Sequence, residues 1–159
     1  MDDDPYHLAR FVAAQEDVYE RALTELMAAR KAGHWMWFVF PQLAGLGGSP
    51  MAALYAIASL DEARAYLAHP ILGPRLMACV ETVNGLTGVS AETIFGFPDV
   101  LKFRSCLTLF AQAAPDAAPF RRALETYYGE PCERSLALLA TPYGPDSNEP
   151  GRHQTDERC

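Results

Sequence analysis

Apolar residues recur at three- and four-residue steps along most of this chain, which is the spacing that places side chains on one face of an α-helix. The first such run begins at Leu8, and a second covers residues 18–27. Asp17 is positioned to begin the second helix and Gly33 to end it, because glycine accepts the left-handed conformation that follows many helix C-termini. The pattern predicts two amphipathic helices before residue 34.

Capping residues and prolines divide the rest of the chain into further short helices. Ser49 followed by Pro50 has the order of an N-cap and a first helical residue, and Asp61 is the predicted cap of a helix over residues 62–68. Additional helices are predicted near residues 74–83, 90–95, 98–114, 120–127 and 136–139. No segment alternates apolar and polar residues long enough to require a strand, although residues 35–40 are ambiguous. We therefore predict an all-α, compact single-domain bundle of about seven or eight short helices.

The composition limits the number of domains. Of 159 residues, 50% are hydrophobic, which is enough for one sizeable core. The helical domain is predicted to cover residues 1–141. Residues 142–159 are polar and rich in proline and glycine, so they bury too little apolar area to offset the entropy of ordering and are predicted to form a flexible tail.

Charge and cysteine usage exclude several classes of protein. Thirteen basic against 20 acidic residues give a net charge of −7, which argues against extended nucleic-acid binding. The acidic N-terminus is unlike a signal peptide, and no apolar stretch reaches the roughly 18–20 residues of a membrane span. The four cysteines are widely spaced and are interpreted as free thiols of a reducing compartment. We expect a cytoplasmic protein, a monomer or weak homo-oligomer, with no cofactor and no metal. Asp61, Glu62 and Glu81 are interpreted as cap and surface charges.

The densest aromatic segment is HWMWFVFPQ at residues 34–42, which contains both tryptophans and two phenylalanines. Each such ring removes about 150–250 Å² from water when it is buried. One interpretation is that the rings fill the core between helices. The other is that Trp35 or Trp37 forms the wall of a pocket in which a base or another planar group stacks.

Polar residues at the edges of this segment are candidates for binding or chemistry. Lys31 beside His34 favours a neutral imidazole, which can accept a proton or a hydrogen bond, although a histidine at a helix end often binds only the backbone. Gln42 can recognise an amide or a base edge, or it can satisfy its own loop. Lys31 can bind a phosphate or carboxylate, or it can simply complement a helix dipole.

Asp99, Lys102 and Ser105 form a second group of candidates on the helix predicted from Pro98. Their three-residue spacing places them on one side of the helix. If Asp99 and Lys102 are exposed, their pair contributes only about 0.2–0.5 kcal/mol. If they are buried, the pair is either a structural tie or an acid-and-cation catalytic site, with the Ser105 hydroxyl within reach.

Three segments of the chain resemble the bacterial and fungal family known as domain of unknown function 1810, some members of which carry the label calpastatin. The segments are Lys31 with residues 34–42, residues 49–57, and residues 94–110 with Asp99, Lys102 and Ser105. The likeness covers about residues 8–139 and implies an all-helical fold, with no established activity. Cys106, Leu107 and Phe103 depart from the family's pattern, so a role that needs a hydroxyl at position 106 is not supported.

The order of these features also resembles, more distantly, the small helical superfamily that processes molecules related to NAD and ADP-ribose. The features are a lysine after the first helices, an Asp-x-x-Lys helix and a closing leucine-rich helix. Tyr55 lies in residues 49–57, the second segment that resembles domain of unknown function 1810, and it is counted among the predicted ligand-binding residues.

The leading hypothesis is that residues 34–42 meet the helix that begins at Pro98 and form an aromatic pocket for a small ligand of the nucleotide or ADP-ribose class. In the enzymatic version, Asp99, Lys102 and His34 are catalytic, and the protein cleaves or transfers at an N-glycosidic bond. The ligand-binding residues are Lys31, Trp35, Trp37, Gln42, Tyr55 and Ser105. The alternatives are a non-catalytic protein-interaction module that uses the aromatic segment, and a segment that is entirely core.

Overall fold

The computed structural model describes residues 4–140, and these residues form ten helices joined by short loops. The helices are α1 (Ala9–Gln15), α2 (Tyr19–Met27), α3 (Met36–Val39), α4 (Pro50–Leu54), α5 (Leu60–Ala68), α6 (Leu72–Asn84), α7 (Ala91–Phe95), α8 (Asp99–Ala113), α9 (Ala118–Tyr127) and α10 (Glu133–Ala140). No strand occurs in this range, and one isolated parallel bridge joins Leu43 to Ile57. The predicted all-α class is confirmed. The helix count was too low, in part because the ambiguous aromatic run contains a helical turn of its own.

Helix α8 lies at the centre of the fold, in contact with α5, α7, α9 and α10. Its residues Phe103, Cys106, Leu107, Leu109 and Phe110 are fully buried. A helix that is apolar around most of its circumference is expected to be surrounded in this way. The first turn of α8 is therefore held rigidly by the core behind it, and that turn begins with Asp99.

Serine side chains cap three of the helices. Ser49 and Ser90 accept hydrogen bonds from the backbone N–H groups three residues later, at 3.1 Å and 3.0 Å. The cap of α5 is Ser59, which accepts from the N–H of Glu62 at 3.1 Å. The prediction of Asp61 as this cap was wrong, because α5 begins at Leu60 and Asp61 already lies in its first turn.

The predicted end of α2 at Gly33 was also wrong, since the helix ends at Met27. The Ala29 backbone takes the left-handed conformation (φ 59°), and its N–H bonds to the carbonyl of Leu26. The N–H of Arg30 reaches the carbonyl of Glu25 at 2.9 Å, which completes the pair of bonds of a Schellman motif. Alanine occupies the position where glycine is usual, so composition did not indicate this terminus. Residues 28–35 are consequently an irregular segment.

Glu62 is buried, contrary to the prediction of a surface charge. Its carboxylate pairs with the Arg10 guanidinium at 3.0 Å, and the side chains are only 4% and 14% exposed. The same guanidinium also donates to the carbonyl groups of Tyr6, His7, Leu54 and Ala56. The ion pair therefore ties α1 to α5, and the bonds to Leu54 and Ala56 tie α1 to the end of α4 and the segment after it.

Three further predictions concern the C-terminal tail, the cysteines and the absence of a membrane span. The predicted flexible tail at residues 142–159 lies outside the described residues. Cys79 and Cys106 are free, as predicted. Within residues 4–140, no helix is long and apolar enough to cross a bilayer.

Candidate functional site

The carboxylate of Asp99 lies between two lysine side chains. Its Oδ2 atom is 2.7 Å from Nζ of Lys31, and its Oδ1 atom is 3.2 Å from Nζ of Lys102. The Asp99 side chain is 19% exposed, so the group lies at the surface but is well shielded from solvent. We refer to Lys31, Asp99 and Lys102 as the Asp99 cluster. It carries one net positive charge.

Lys31 reaches Asp99 from the irregular segment that follows α2. Its main-chain N–H donates to the carbonyl of Ile94 at the end of α7, at 2.8 Å. Its ammonium donates to the carbonyl of Gly33 at 2.6 Å and to Asp99, and lies 5.1 Å from the centre of the Trp35 ring. An ammonium has three N–H donors, and Gly33 and Asp99 use two of them while the ring face shields the ammonium. With 7% of its side chain exposed, Lys31 is a fixed structural cation.

Lys102 occupies the more open side of the Asp99 cluster. Its ammonium donates to Asp99 and lies 5.7 Å from the centre of the Trp37 ring, within the range of a cation–π interaction. Its side chain is 20% exposed, and Asp99 is the one hydrogen-bond acceptor it has among residues 4–140. Lys102 therefore has a donor available to a ligand.

Glu25 on α2 organises the segment that presents Lys31. Its Oε1 atom accepts the backbone N–H groups of Ala32 and Gly33 at 2.8 Å and 2.9 Å, and the indole N–H of Trp35 at 2.8 Å. Burial alone would raise the pKa of Glu25. The three N–H donors and the nearby Lys31 charge outweigh burial, so the pKa lies below its ordinary value.

Most of the aromatic segment belongs to the core. Trp35, Phe38 and Phe40 are 1%, 7% and 1% exposed. Phe40 contacts Phe103 of α8 edge to face, with ring centres 4.8 Å apart. The core interpretation is correct for these three rings, whereas Trp37 is only partly buried. The segment and the first turns of α8 do meet, as the leading hypothesis required.

Two other predicted site residues, His34 and Gln42, lie at the two ends of the aromatic segment. His34 is exposed and directly follows Gly33, whose carbonyl accepts from Lys31. The imidazole has no hydrogen-bond partner among the described residues. Gln42 is partly buried, and its carbonyl accepts the N–H of Ile57 at 3.0 Å, so its backbone role is structural.

The structure directs the remaining two predicted residues elsewhere. The Tyr55 ring packs against Phe38, with ring centres 5.3 Å apart, and serves the core beneath the segment. The Ser105 hydroxyl is buried and donates to the carbonyl of Leu101 at 3.2 Å, with the Cys132 sulfur 3.7 Å away. Neither side chain has a recorded contact with the Asp99 cluster.

Other chemical groups lie away from the cluster. Burial raises the pKa of the Cys79 thiol to about 12 and that of Cys106 well above its ordinary value, so these thiols are unreactive at neutral pH. A cleft of about 240 Å³ lies between α8 and α9 and is lined by Thr108, Ala111, Gln112, Arg121, Leu124, Glu125, Gly129, Glu130 and Pro131. It contains no cluster residue. In residues 4–140, no set of three acidic, histidine or cysteine side chains could hold a metal ion.

Sequence reasoning overlooked one residue and one compositional signal. Glu25 was missed because it lies seven to ten residues from its partners, beyond the reach of helical periodicity. The signal is that the chain contains two lysines and eleven arginines, and both lysines bind the same carboxylate. Both lysines of the chain therefore lie at one site, where compact ammonium groups are used in preference to planar guanidinium groups.

Comparison with known proteins gives a family and a fold but no activity. The sequence profile described as "Protein of unknown function (DUF1810)" matches residues 5–139. The crystal structure of a conserved hypothetical protein from Mycobacterium tuberculosis is similar, with 55% sequence identity and a TM-score of 0.85 over 87% of this chain and 99% of that one. No curated protein matches the chain.

Proposed function

The chain belongs to the DUF1810 family of proteins of unknown function, and we propose that it binds a small ligand of the nucleotide or ADP-ribose class at the Asp99 cluster. Lys102 holds a phosphate oxygen of the ligand, and the Trp37 ring stacks against its base. Lys31 contributes positive potential from behind Asp99 without touching the ligand. The rest of the aromatic segment supports this surface from within the core.

The position of Lys102 is the observation that carries the proposal. It places an available N–H donor between a carboxylate and a partly exposed indole ring. Phosphate needs a cation with an open donor, and a base needs a flat apolar face. Stacking contributes about 1–3 kcal/mol per base, and an ammonium–phosphate hydrogen bond about 1.5–3 kcal/mol. Together these interactions amount to about 2.5–6 kcal/mol, which corresponds to dissociation constants from about 10 millimolar down to tens of micromolar.

In the enzymatic form of the proposal, the protein cleaves an N-glycosidic bond. When the bond between C1′ of the ribose and the base nitrogen breaks, positive charge develops on the ribose, and the Asp99 carboxylate stabilises it. A water oxygen then bonds to C1′. His34 accepts the proton that the water loses, and the leaving nitrogen takes up a proton.

The test measures ligand binding before turnover. We expect ADP-ribose, AMP or an ADP-ribosylated base to raise the melting temperature, with dissociation constants determined by calorimetry. Lys102→Gln removes the positive charge that attracts the phosphate and is expected to weaken binding by about 10-fold or more. Trp37→Leu removes the stacking surface and is expected to have a similar effect. Asp99→Asn is expected to abolish any turnover while ligand remains bound.

Arg64→Gln provides the matched control. Arg64 pairs with Asp61 at the same three-residue spacing on α5, but the two side chains are 55% and 73% exposed. This variant should bind every ligand as the wild-type protein does. If no compound of the class shifts the melting temperature, or if Arg64→Gln weakens binding as much as Lys102→Gln, the proposal is wrong.

A further inference from the structure

We infer that Lys102 is a removable cover on Asp99: a ligand phosphate draws the Lys102 ammonium away and frees Oδ1, while Lys31 keeps its hold on Oδ2. This inference rests on the proposed function and adds a mechanism of substrate selection to it. It follows from the unequal ways in which the two lysines hold one carboxylate.

Without a ligand, both oxygens of Asp99 are occupied. Oδ2 binds Lys31 at 2.7 Å and Oδ1 binds Lys102 at 3.2 Å. A carboxylate covered on both oxygens by cations has little capacity left to act on a ribose, because its charge is already neutralised at short range. One cation must leave before the carboxylate can act.

Lys31 is the cation that stays. Its ammonium has three partners, namely Asp99, the Gly33 carbonyl and the Trp35 ring, and its side chain is 7% exposed. Moving it away would leave the Gly33 carbonyl and Oδ2 of Asp99, which are both partly shielded from solvent, without their donor. The N–H groups that bind Glu25 also fix the backbone at Ala32 and Gly33.

Lys102 is the cation that leaves. It has the longer contact with Asp99 and the greater exposure, and within residues 4–140 its one other partner is the face of the Trp37 ring. Its flexible stem can redirect the ammonium without moving α8. A phosphate with two negative charges competes directly with the single charge of Asp99 for this ammonium.

Because Lys102 covers Asp99, the ligand's phosphate is needed both to bind and to expose the carboxylate. A nucleoside without phosphate can stack on Trp37 but cannot draw Lys102 away, so Asp99 stays covered. The site therefore selects phosphate-bearing ligands at the step that exposes the carboxylate as well as at the step of binding.

Because the chain has only two lysines, protein labelled with ¹³C at lysine Cε gives two methylene signals in a correlation spectrum. Lys102→Gln assigns them, and trapping with a water-soluble carbodiimide provides a second measurement on the unmutated chain. Carbodiimide joins a carboxylate to a neighbouring amine with loss of water, and mass spectrometry locates the amide. Without ligand we expect both Asp99–Lys31 and Asp99–Lys102 amides.

Addition of AMP or pyrophosphate is expected to shift the Lys102 signal, leave the Lys31 signal unchanged, and reduce the Asp99–Lys102 amide at least fivefold while the Asp99–Lys31 amide persists. Adenosine should produce neither change. If AMP binds but both signals shift together, or both amides fall equally, the inference is overturned and the proposed function stands. If AMP and pyrophosphate change nothing, the proposed function fails and the inference fails with it.

Discussion

Replacement of Glu25 by alanine tests whether one carboxylate oxygen holds the segment that presents Lys31. The change removes the acceptor of three N–H groups. Ala32 is exposed and Gly33 only partly buried, so water can replace the carboxylate there at small cost. The Trp35 indole is 1% exposed, and leaving its N–H unpaired costs about 1–3 kcal/mol. We therefore expect a loss of about 2 kcal/mol, or roughly 5–8 °C in melting temperature.

The assay is urea unfolding followed by tryptophan fluorescence, which reports on the environments of Trp35 and Trp37, the two tryptophans of the chain. Glu20→Gln is the matched control, because Glu20 is exposed on the same helix, and it should cost no more than a few tenths of a kcal/mol. Combined with Trp35→Phe, which removes the indole donor, Glu25→Ala should cost about 1 kcal/mol less than it does alone. Equal costs for Glu25→Ala and Glu20→Gln would refute the argument, as would strict additivity in the double variant.

Acid should remove the same stabilisation. The pKa of Glu25 is lower in the folded protein than its ordinary value of 4.5, so the contribution is complete above that pH and is lost as the pH falls through the lower folded value. Glu25→Gln keeps an acceptor but no charge. The difference in melting temperature between the wild type and this variant should stay constant above about pH 5.5 and shrink below pH 4.5.

Two further predictions concern the scaffold. Gly73→Ala should destabilise the protein by about 1–3 kcal/mol in urea unfolding, because the added Cβ would overlap the carbonyl oxygen of Leu67. Gly48→Ala, whose Cβ would have no neighbouring atom within 4 Å, should be nearly neutral, and similar costs for the two variants would contradict the close approach of α5 and α6. Arg10→Met should lower the free energy of unfolding by about 3–5 kcal/mol in thermal unfolding, because it leaves the buried carboxylate of Glu62 without its ion-pair partner. Adding Glu62→Gln should restore part of the lost stability, and no gain in stability would contradict the pairing.

Interactions between residues close in sequence were sufficient to predict the all-α class and several helix boundaries. Ser49 and Pro50 act within three or four residues of themselves, so their roles as N-cap and first helical residue were predictable and are confirmed. The start of α7 near residue 90 was also predicted, and there Ser90 is the N-cap. Ser59 was passed over for Asp61 because both are good caps two residues apart. The periodicity placed Asp99 at the start of its helix correctly, and its three-residue spacing to Lys102 made that pair predictable.

The sequence by itself determined an all-α protein, a first turn of α8 that carries Asp99 and Lys102, and the place of the dense aromatic segment, whereas its burial was decided by the tertiary structure. The tertiary structure alone decided that Lys31 reaches the carboxylate of Asp99, which lies 68 positions further along the chain. It also decided that Glu25 binds the backbone of the segment that carries Lys31. It also decided that Trp37 alone among the segment's tryptophans stays partly exposed. The physical reason is range: helix periodicity and capping act over a few residues, whereas the site depends on contacts whose partners are close only after the chain has folded.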